Sequence, residues 1–392
     1  MTKHLLVTND FAPKVGGIQS YLYELWSRLE PSSFSVLTAS SDPGAPAFDA
    51  RWRAEGRSIS RLDARTVFLP TRRLRDQIDA EARRVGADLV LLDPAWPLGL
   101  VGPSLELPYG VVLHGAEVTI PGRLPIVRSS LRRVLAGAVV AVAAGGYPER
   151  EARRVAKEAM PRVIQVPPGV DHERFTPSTP EDRLATRARL GLEPDAEVVV
   201  SVVRLVPRKG VDVLIEAAAL LMPTHPGLRV VVGGSGRQRA QLERRASKLG
   251  VPVQFVGYVP DEDLPGLLGA ADVYAAPCRN RWLGLEQEGF GIVYLEAAAA
   301  GVAQLAGRSG GADEAVEHGV TGLVVDQPGA PAAVTAALGT LLANASARGQ
   351  MAEQARHRAR RSFDYDLLSR RLAEGLTMGP LRAGGSAEEG LM

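Results

Sequence analysis

Two successive series of short apolar runs, each run followed by a segment of helical period, leave few architectures open to this chain. The first series comprises His4–Thr8, Ser35–Thr38, Thr66–Leu69, Leu89–Leu92, Tyr109–Leu113, Val139–Val142 and Val163–Val166. The second comprises Val198–Val203, Leu228–Val232, Val253–Val256, Val273–Ala276, Val302–Ala306 and Leu323–Val325. Runs this short and this apolar are strands covered on both faces, which is the condition of a parallel sheet flanked by helices. The intervening helices are legible from their stripes. Ile18, Tyr21, Leu22, Leu25, Trp26 and Leu29 share one face, and Thr71–Val85, Val211–Leu221, Gln238–Leu249, Asp261–Ala271 and Ile292–Ala300 read the same way. Residues 40–65 have no clear period and read as loop or short helix. The stretch Asp171–Glu181, with Pro177 and Pro180 among Ser and Thr, separates the series. The expected fold class is α/β, with two doubly wound sheets.

Composition removes other classes. Forty-five per cent of the 392 residues are hydrophobic and 23% charged, so global disorder is excluded. A single cysteine, Cys278, excludes an internal disulfide framework and any zinc site needing several thiolates. No apolar run reaches the ~18 residues of a spanning helix, and the first residues do not read as a signal peptide, so a cytoplasmic location is expected. Net charge is +2, but residues 1–170 carry 22 basic against 17 acidic side chains, and the rest 24 against 27. Between Glu117 and Glu149 no acid occurs, while Arg123, Arg128, Arg132 and Arg133 do, interleaved with Ile126, Val127, Leu131, Val134 and Leu135. That pattern suits a basic amphipathic helix on an anionic lipid surface, and equally a core helix with a solvated edge.

Several motifs sit where strands end. Gly16-Gly17 follows the first run and opens a helix, a place where backbone N–H groups approach an anion. Arg204 and Lys209 follow the first strand of the second series, where open parallel sheets bind ligands and two cations suit a diphosphate. His114 precedes Gly115 at the end of another strand. Glu288-Gly289-Phe290-Gly291-Ile292 leads into a helix through Glu296; counted as helix, eight residues put both carboxylates toward one side. Asp261-Glu262-Asp263 and Asp364-Tyr365-Asp366 have a metal-binding form but stand at helix starts, where Asp caps, so no metal is expected. Gly307-Arg308-Ser309-Gly310-Gly311 matches a nucleophile elbow, with Asp326 or Asp364 and His357 as formal partners, and keeps a hydrolase open as an alternative.

Taken together, these residues resemble the retaining glycosyltransferases of family four, which have the GT-B fold of two Rossmann-like domains facing each other across a cleft. The resemblance runs from Val7 to about Leu376. It rests on the Gly-Gly-Ile turn, on Pro168-Gly169-Val170-Asp171 with Phe175, on Arg204 and Lys209, and on Glu288 to Glu296. Thr8-Asn9-Asp10-Phe11, His114-Gly115-Ala116-Glu117 and Pro277-Cys278-Arg279 are similar, more narrowly, to the GDP-mannose-dependent phosphatidylinositol monomannoside α-1,6-mannosyltransferases.

The resemblance implies an acceptor-binding domain over residues 1–170 and a nucleotide-sugar-binding domain over 171–362. It also implies a helix over 363–378 returning toward the first domain, and residues 379–392 read as a disordered tail. It further implies that the donor diphosphate meets Arg204, Lys209, Gly16 and Gly17. Glu296 would take the ribose, and Glu288 the mannose beside Gly289, Phe290, Gly291 and Ile292. Gly257, Tyr258 and Val259 would read the base, and His114 the sugar. The expected partners are GDP-mannose, a lipid acceptor and the inner face of the cell membrane, met through Arg123, Arg128, Arg132 and Arg133, with no nucleic acid. Arg308, Asp313 and Trp282 stand where the subgroup usually has other residues. A catalytically silent nucleotide-sugar binder on the same fold is the second alternative.

Overall fold

A computed structural model describes residues 2–64, 66–67 and 69–377. The chain divides into two compact units, one reaching to Pro168 and resuming at Tyr365, the other Gly169–Asp364. The first opens with β1 (His4–Thr8), α1 (Gly17–Trp26), β2 (Phe34–Ala39), α2 (Ala45–Ala54), β3 (Ser58–Leu62), α3 (Arg72–Val85) and β4 (Leu89–Asp93). It continues with β5 (Tyr109–Leu113), α4 (Ala116–Arg123), α5 (Pro125–Gly137), β6 (Val140–Ala143), α6 (Gly146–Ala156) and β7 (Arg162–Gln165). Its seven strands lie in the order β3-β2-β1-β4-β5-β6-β7, and every pairing is parallel.

The second unit runs α7 (Pro180–Arg189), β8 (Glu197–Val202), α8 (Val211–Leu221), β9 (Leu228–Gly233), α9 (Arg239–Leu249), β10 (Val253–Gly257) and α10 (Leu264–Gly269). Then come β11 (Val273–Ala276), α11 (Ile292–Ala299), β12 (Ala303–Gly307), α12 (Ala312–Ala315), β13 (Gly322–Val325), α13 (Pro331–Ala343) and α14 (Ala345–Ser362). Its sheet order is β10-β9-β8-β11-β12-β13, again all parallel. The last helix, α15 (Tyr365–Thr377), packs Leu368, Leu372 and Leu376 into the first unit's core with Tyr21, Leu22 and Leu25 of α1. Ser369 there donates to the Leu25 carbonyl at 2.8 Å.

Both sheets reverse their strand order once, between β1 and β4 and between β8 and β11. Parallel sheets open a crevice beyond the strand ends at such a reversal, because the two crossovers leave on opposite faces. The central strands beside each reversal are buried throughout: His4–Thr8 and Leu89–Asp93 have no exposed residue, nor do Val198–Ser201.

Three of the sequence expectations need correction, and a fourth falls outside the described residues. Residues 40–65 hold α2 and the edge strand β3, whose run Ser58-Ile59-Ser60-Arg61-Leu62 buries only Ile59; an edge strand is half solvated and loses the continuous apolar signal. At residues 66, 67 and 69 no strand forms, and residue 68 lies outside the described residues. The helix expected over Asp261–Ala271 shrinks to α10, and Asp263 makes no side-chain cap bond; it pairs with Arg189 at 3.4 Å, and Asp261 with Arg174 at 3.5 Å. Residues 379–392, read as a tail, lie outside the described residues.

Candidate active site

In the second unit Lys209, Cys278 and Glu288 meet at the β8/β11 reversal. After β8 the chain makes a tight turn at Pro207–Lys209 and enters α8 through Gly210, whose φ is 73°. A Cβ on Gly210 would stand 2.1 Å from the Pro277 carbonyl oxygen, so only glycine lets this turn lie against the chain leaving β11. That contact carries Lys209 inward. Its Nζ donates to Glu288 Oε2 at 2.6 Å, and the two residues are 8% and 7% exposed. Cys278 Sγ lies 3.5 Å from the same oxygen. Burial opposes ionisation of Glu288, but the charges of Lys209 and Arg208 and the hydrogen bonds outweigh it and hold the carboxyl below its usual range. Burial and the neighbouring Glu288 push the Cys278 thiol up to about 12.

Glu288 is held from the backbone side as well. Its N–H donates to Ser309 Oγ at 3.0 Å, and Ser309 donates onward to Asn280 Oδ1 at 2.8 Å. Gly310, at φ 56°, permits this approach, since a Cβ there would meet the Glu288 carbonyl oxygen at 1.8 Å. The glycines around Ser309 thus serve a backbone contact. Ser309 is 1% exposed, and its partners are Glu288 and Asn280 rather than a base. Asp326 is taken by Arg308, and His357 lines a separate cavity with Glu317 and Arg358. The hydrolase reading is therefore overturned. Arg308 also pairs with Asp313 at 3.0 Å, so these two unusual residues neutralise each other at the surface.

The expectation that Glu288 and Glu296 share a helical face fails. Helix α11 begins only at Ile292, after Gly291 at φ 91°. Glu288 therefore turns to Lys209 and Cys278, while Glu296 has Arg174 and Asp261 as its charged neighbours. Glu296 is half-buried and its carboxyl group makes no hydrogen bond among the described residues; burial pushes that carboxyl up to about 7. Arg204 is exposed and has no ion pair among the described residues, whereas Lys209 is already occupied, so the two cations differ in state. Sequence reasoning missed Arg208, whose charge faces Glu288 and whose Nε is buried without a partner. Gly289 and Phe290 continue from Glu288, with Phe290 buried against Phe363. Gly257 ends β10, with Tyr258 68% exposed and Val259 half-buried beside it. The Gly233–Gly236 turn packs on the Arg204 loop, where Leu205 N–H donates to the Ser235 carbonyl at 2.8 Å.

In the first unit the β1/β4 reversal joins Thr8 and Asp93, which are register partners. Thr8 Oγ1 donates to Asp93 Oδ2 at 2.5 Å, and Asp93 Oδ1 faces His114 Nε2 at 2.5 Å. Asp93 was missed from sequence; the signal that would have found it is an acid closing an apolar strand. Burial disfavours a charged His114 ring, but Asp93 outweighs this, with help from Glu117 and Asp10, and raises its pKa. Asp10 accepts from Gln19 Nε2 at 2.6 Å, and burial beside Asp93 pushes its carboxyl up. Gly16 ends the loop before α1, and Gly17 is that helix's first residue. Elsewhere in the unit, Arg123 and Arg128 are half-buried and Arg132 and Arg133 exposed along α4 and α5, with Ile126 89% exposed. Among the described residues, no group of three or more His, Cys, Asp or Glu is placed to hold a metal ion, and no helix is long and apolar enough to cross a membrane.

Comparison with known proteins gives these two clusters a context. Residues 182–358 match the family described as Glycosyl transferases group 1. The chain is 39% identical over 381 residues to the GDP-mannose-dependent alpha-(1-6)-phosphatidylinositol monomannoside mannosyltransferase of Mycolicibacterium smegmatis, covering 95% of this chain and 98% of that one. It is 39% identical over 329 residues to a Corynebacterium glutamicum mannosyltransferase named for the monoacylated form of that lipid, covering 83% and 84%. Among solved structures, Anabaena HepE in complex with UDP aligns with TM-score 0.78 at 22% identity over 96% of this chain and all of that one. Sucrose-phosphate synthase from Thermosynechococcus elongatus aligns with TM-score 0.77 at 23% identity over 95% and 98%. Those structural likenesses carry the GT-B fold, and the identity over nearly the full length carries the rest: the chain belongs to the group 1 glycosyltransferases, alongside the phosphatidylinositol monomannoside mannosyltransferases.

Proposed function

We propose that the protein transfers mannose from GDP-mannose to a phosphatidylinositol monomannoside in α-1,6 linkage, with retention. The observation that carries this reading is the charge cluster at the β8/β11 reversal. Lys209 and Arg208 present two cations to the Glu288 carboxylate, Arg204 stands exposed on the same loop, and the Arg208 Nε is buried and unpaired. A diphosphate supplies the missing acceptor oxygens. In the transfer, the bond between the sugar's anomeric carbon and the diphosphate oxygen breaks, and a bond to the acceptor hydroxyl oxygen forms on the same face. The hydroxyl proton passes to the departing phosphate, and GDP leaves. Arg204 and Lys209 stabilise the charge growing on the diphosphate, a gain realised mainly in the transition state.

In this reading Glu288 holds the mannose hydroxyls, Glu296 the ribose, and the backbone of Gly289, Phe290, Gly291 and Ile292 the sugar and phosphate. Gly257, Tyr258 and Val259 line the base. Gly16, Gly17 and His114 in the first unit act on the phosphate and sugar. The lipid acceptor is reached at an anionic membrane surface through Arg123, Arg128, Arg132 and Arg133, from the cytoplasmic side. The test is a donor panel read by melting temperature and by transfer to a phosphatidylinositol monomannoside. GDP-mannose should stabilise most and support turnover. Stabilisation by GDP-mannose without transfer to the lipid would leave a silent binder, and a stronger response to UDP-glucose would refute the donor.

A further inference from the structure

The second unit's ion pair explains itself, since both partners serve the donor site. Asp93 has no such evident duty. It is wholly buried in the first unit at the end of β4, and its two oxygens are spoken for by Thr8 and His114. We propose that Asp93 is a positioning residue for the transfer: its carboxylate takes the His114 Nε2–H and fixes the ring so that Nδ1 alone is offered to substrate, as a hydrogen-bond donor. This rests on the reading above that His114 contacts the sugar.

A carboxylate can only accept, so the nitrogen facing it carries the proton and the other is left for a ligand. Nδ1 of His114 has no hydrogen-bond partner among the described residues. The ring cannot turn freely. Tyr21 meets it edge-on, with centroids 5.5 Å apart and planes at 86°, and Tyr21 is itself anchored by its hydroxyl to the Val166 carbonyl at 2.8 Å. The backbone beneath is pinned too, because the N–H groups of His114 and Gly115 both donate to Glu117 Oε1, at 2.6 and 3.1 Å. Thr8 completes the support, holding Asp93 from the far side while also accepting the Asp10 N–H at 2.9 Å.

Protonation decides what Nδ1 does. Neutral, with Nε2–H on Asp93, the ring presents an acceptor; charged, it presents a donor. The titratable groups facing it are Asp93 on β4, Glu117 on α4, and Asp10 after β1, with the neutral Tyr21 on α1 and with Lys14, which acts on Asp10. Three acids thus surround the ring, and its pKa is raised, so the cation persists to higher pH than in a free histidine. Removing Asp93 should let the proton leave at lower pH, by about one unit or more for loss of an opposite charge in contact.

The experiment uses the full chain labelled at histidine Cε1. Six histidines are present, and the His114 resonance is assigned by its loss in His114→Asn. Expected in wild type is a His114 midpoint above 6.5. In Asp93→Asn it should fall by about one unit or more, and the alkaline limb of kcat against pH should move down with it. An unchanged midpoint and limb in Asp93→Asn would overturn the proposal. So would a loss of activity matched only by a lower melting temperature. Should that variant not fold, Asp93→Glu and the wild-type titration decide: a wild-type midpoint at or below 6.5 refutes it. Full transfer by a folded His114→Asn, with the titration as expected, would instead refute the sugar contact and leave the pairing standing.

Discussion

Breaking the Lys209–Glu288 pair should be expensive in the donor-free protein, and more so for one partner than for both. The ammonium and carboxylate meet at 2.6 Å, with side chains 10% and 9% exposed, so neither has water to fall back on when the other is removed. A buried charge left alone costs about 3–5 kcal/mol, whereas replacing both ions with neutral groups of similar size is often near neutral. Glu288→Gln and Lys209→Met should each lower stability by that amount. In a unit of roughly 200 residues this is a melting shift of about 6–20 °C. The double variant should recover most of it. Calorimetry on the four proteins of the cycle, with hydrogen exchange to confirm that the second unit is the part that opens, gives the coupling energy.

The pair also has a pH signature. Because the Glu288 carboxyl is held below its unfolded value of 4.5, its contribution is present above that pH and is lost as pH falls through the lower folded value. Single losses that simply add, with a coupling under about 0.5 kcal/mol, would refute the idea that the two charges depend on each other. In turnover, Lys209→Ala should depress kcat more than GDP affinity, since its charge matters most as the leaving group forms.

Three further outcomes are expected. Glu296→Gln should weaken GDP binding by calorimetry yet raise ligand-free stability at pH 8: a carboxyl whose folded pKa is raised to about 7 loses stability as pH climbs from its unfolded value to that point, and the amide does not. Ser309→Ala should cost about 1–3 kcal/mol by stranding the Glu288 N–H, measured by thermal unfolding, and wild-type Ser309 should resist serine-directed phosphonates; labelling would reinstate the hydrolase. Wild-type protein should co-sediment with phosphatidylinositol-containing vesicles at low salt and release at high salt, with each arginine worth about 1 kcal/mol; equal sedimentation of an Arg128/Arg132/Arg133→Ser variant would exclude α5 as the contact.

What could be read from the residues alone was whatever depends on local order along the chain. Strand after strand of Val, Leu and Ala separated by helical stripes already means parallel sheets covered by helices on both faces, and the break at Asp171–Glu181 divides them into two. The strand-end positions of His114, Arg204 and Lys209 follow from the same alternation, and so did the family likeness. The edge strand β3 escaped because half its surface is wet.

Tertiary structure decided which side chains meet. Seven residues separate Glu288 from Glu296, and counting turns put them together; three non-helical residues ending in left-handed Gly291 send them to different neighbours. Asp93 and His114 lie 21 residues apart, and Lys209 and Glu288 lie 79 apart. Those pairs exist only because adjacent parallel strands end side by side, β4 beside β5 for the first and β8 beside β11 for the second, and because Gly210 and Gly310 let backbones touch in the second where any Cβ would hold them off. Local pattern selects strands and helices, but a contact between two loops depends on the register and order of the sheet beneath them, which no run of neighbouring residues encodes.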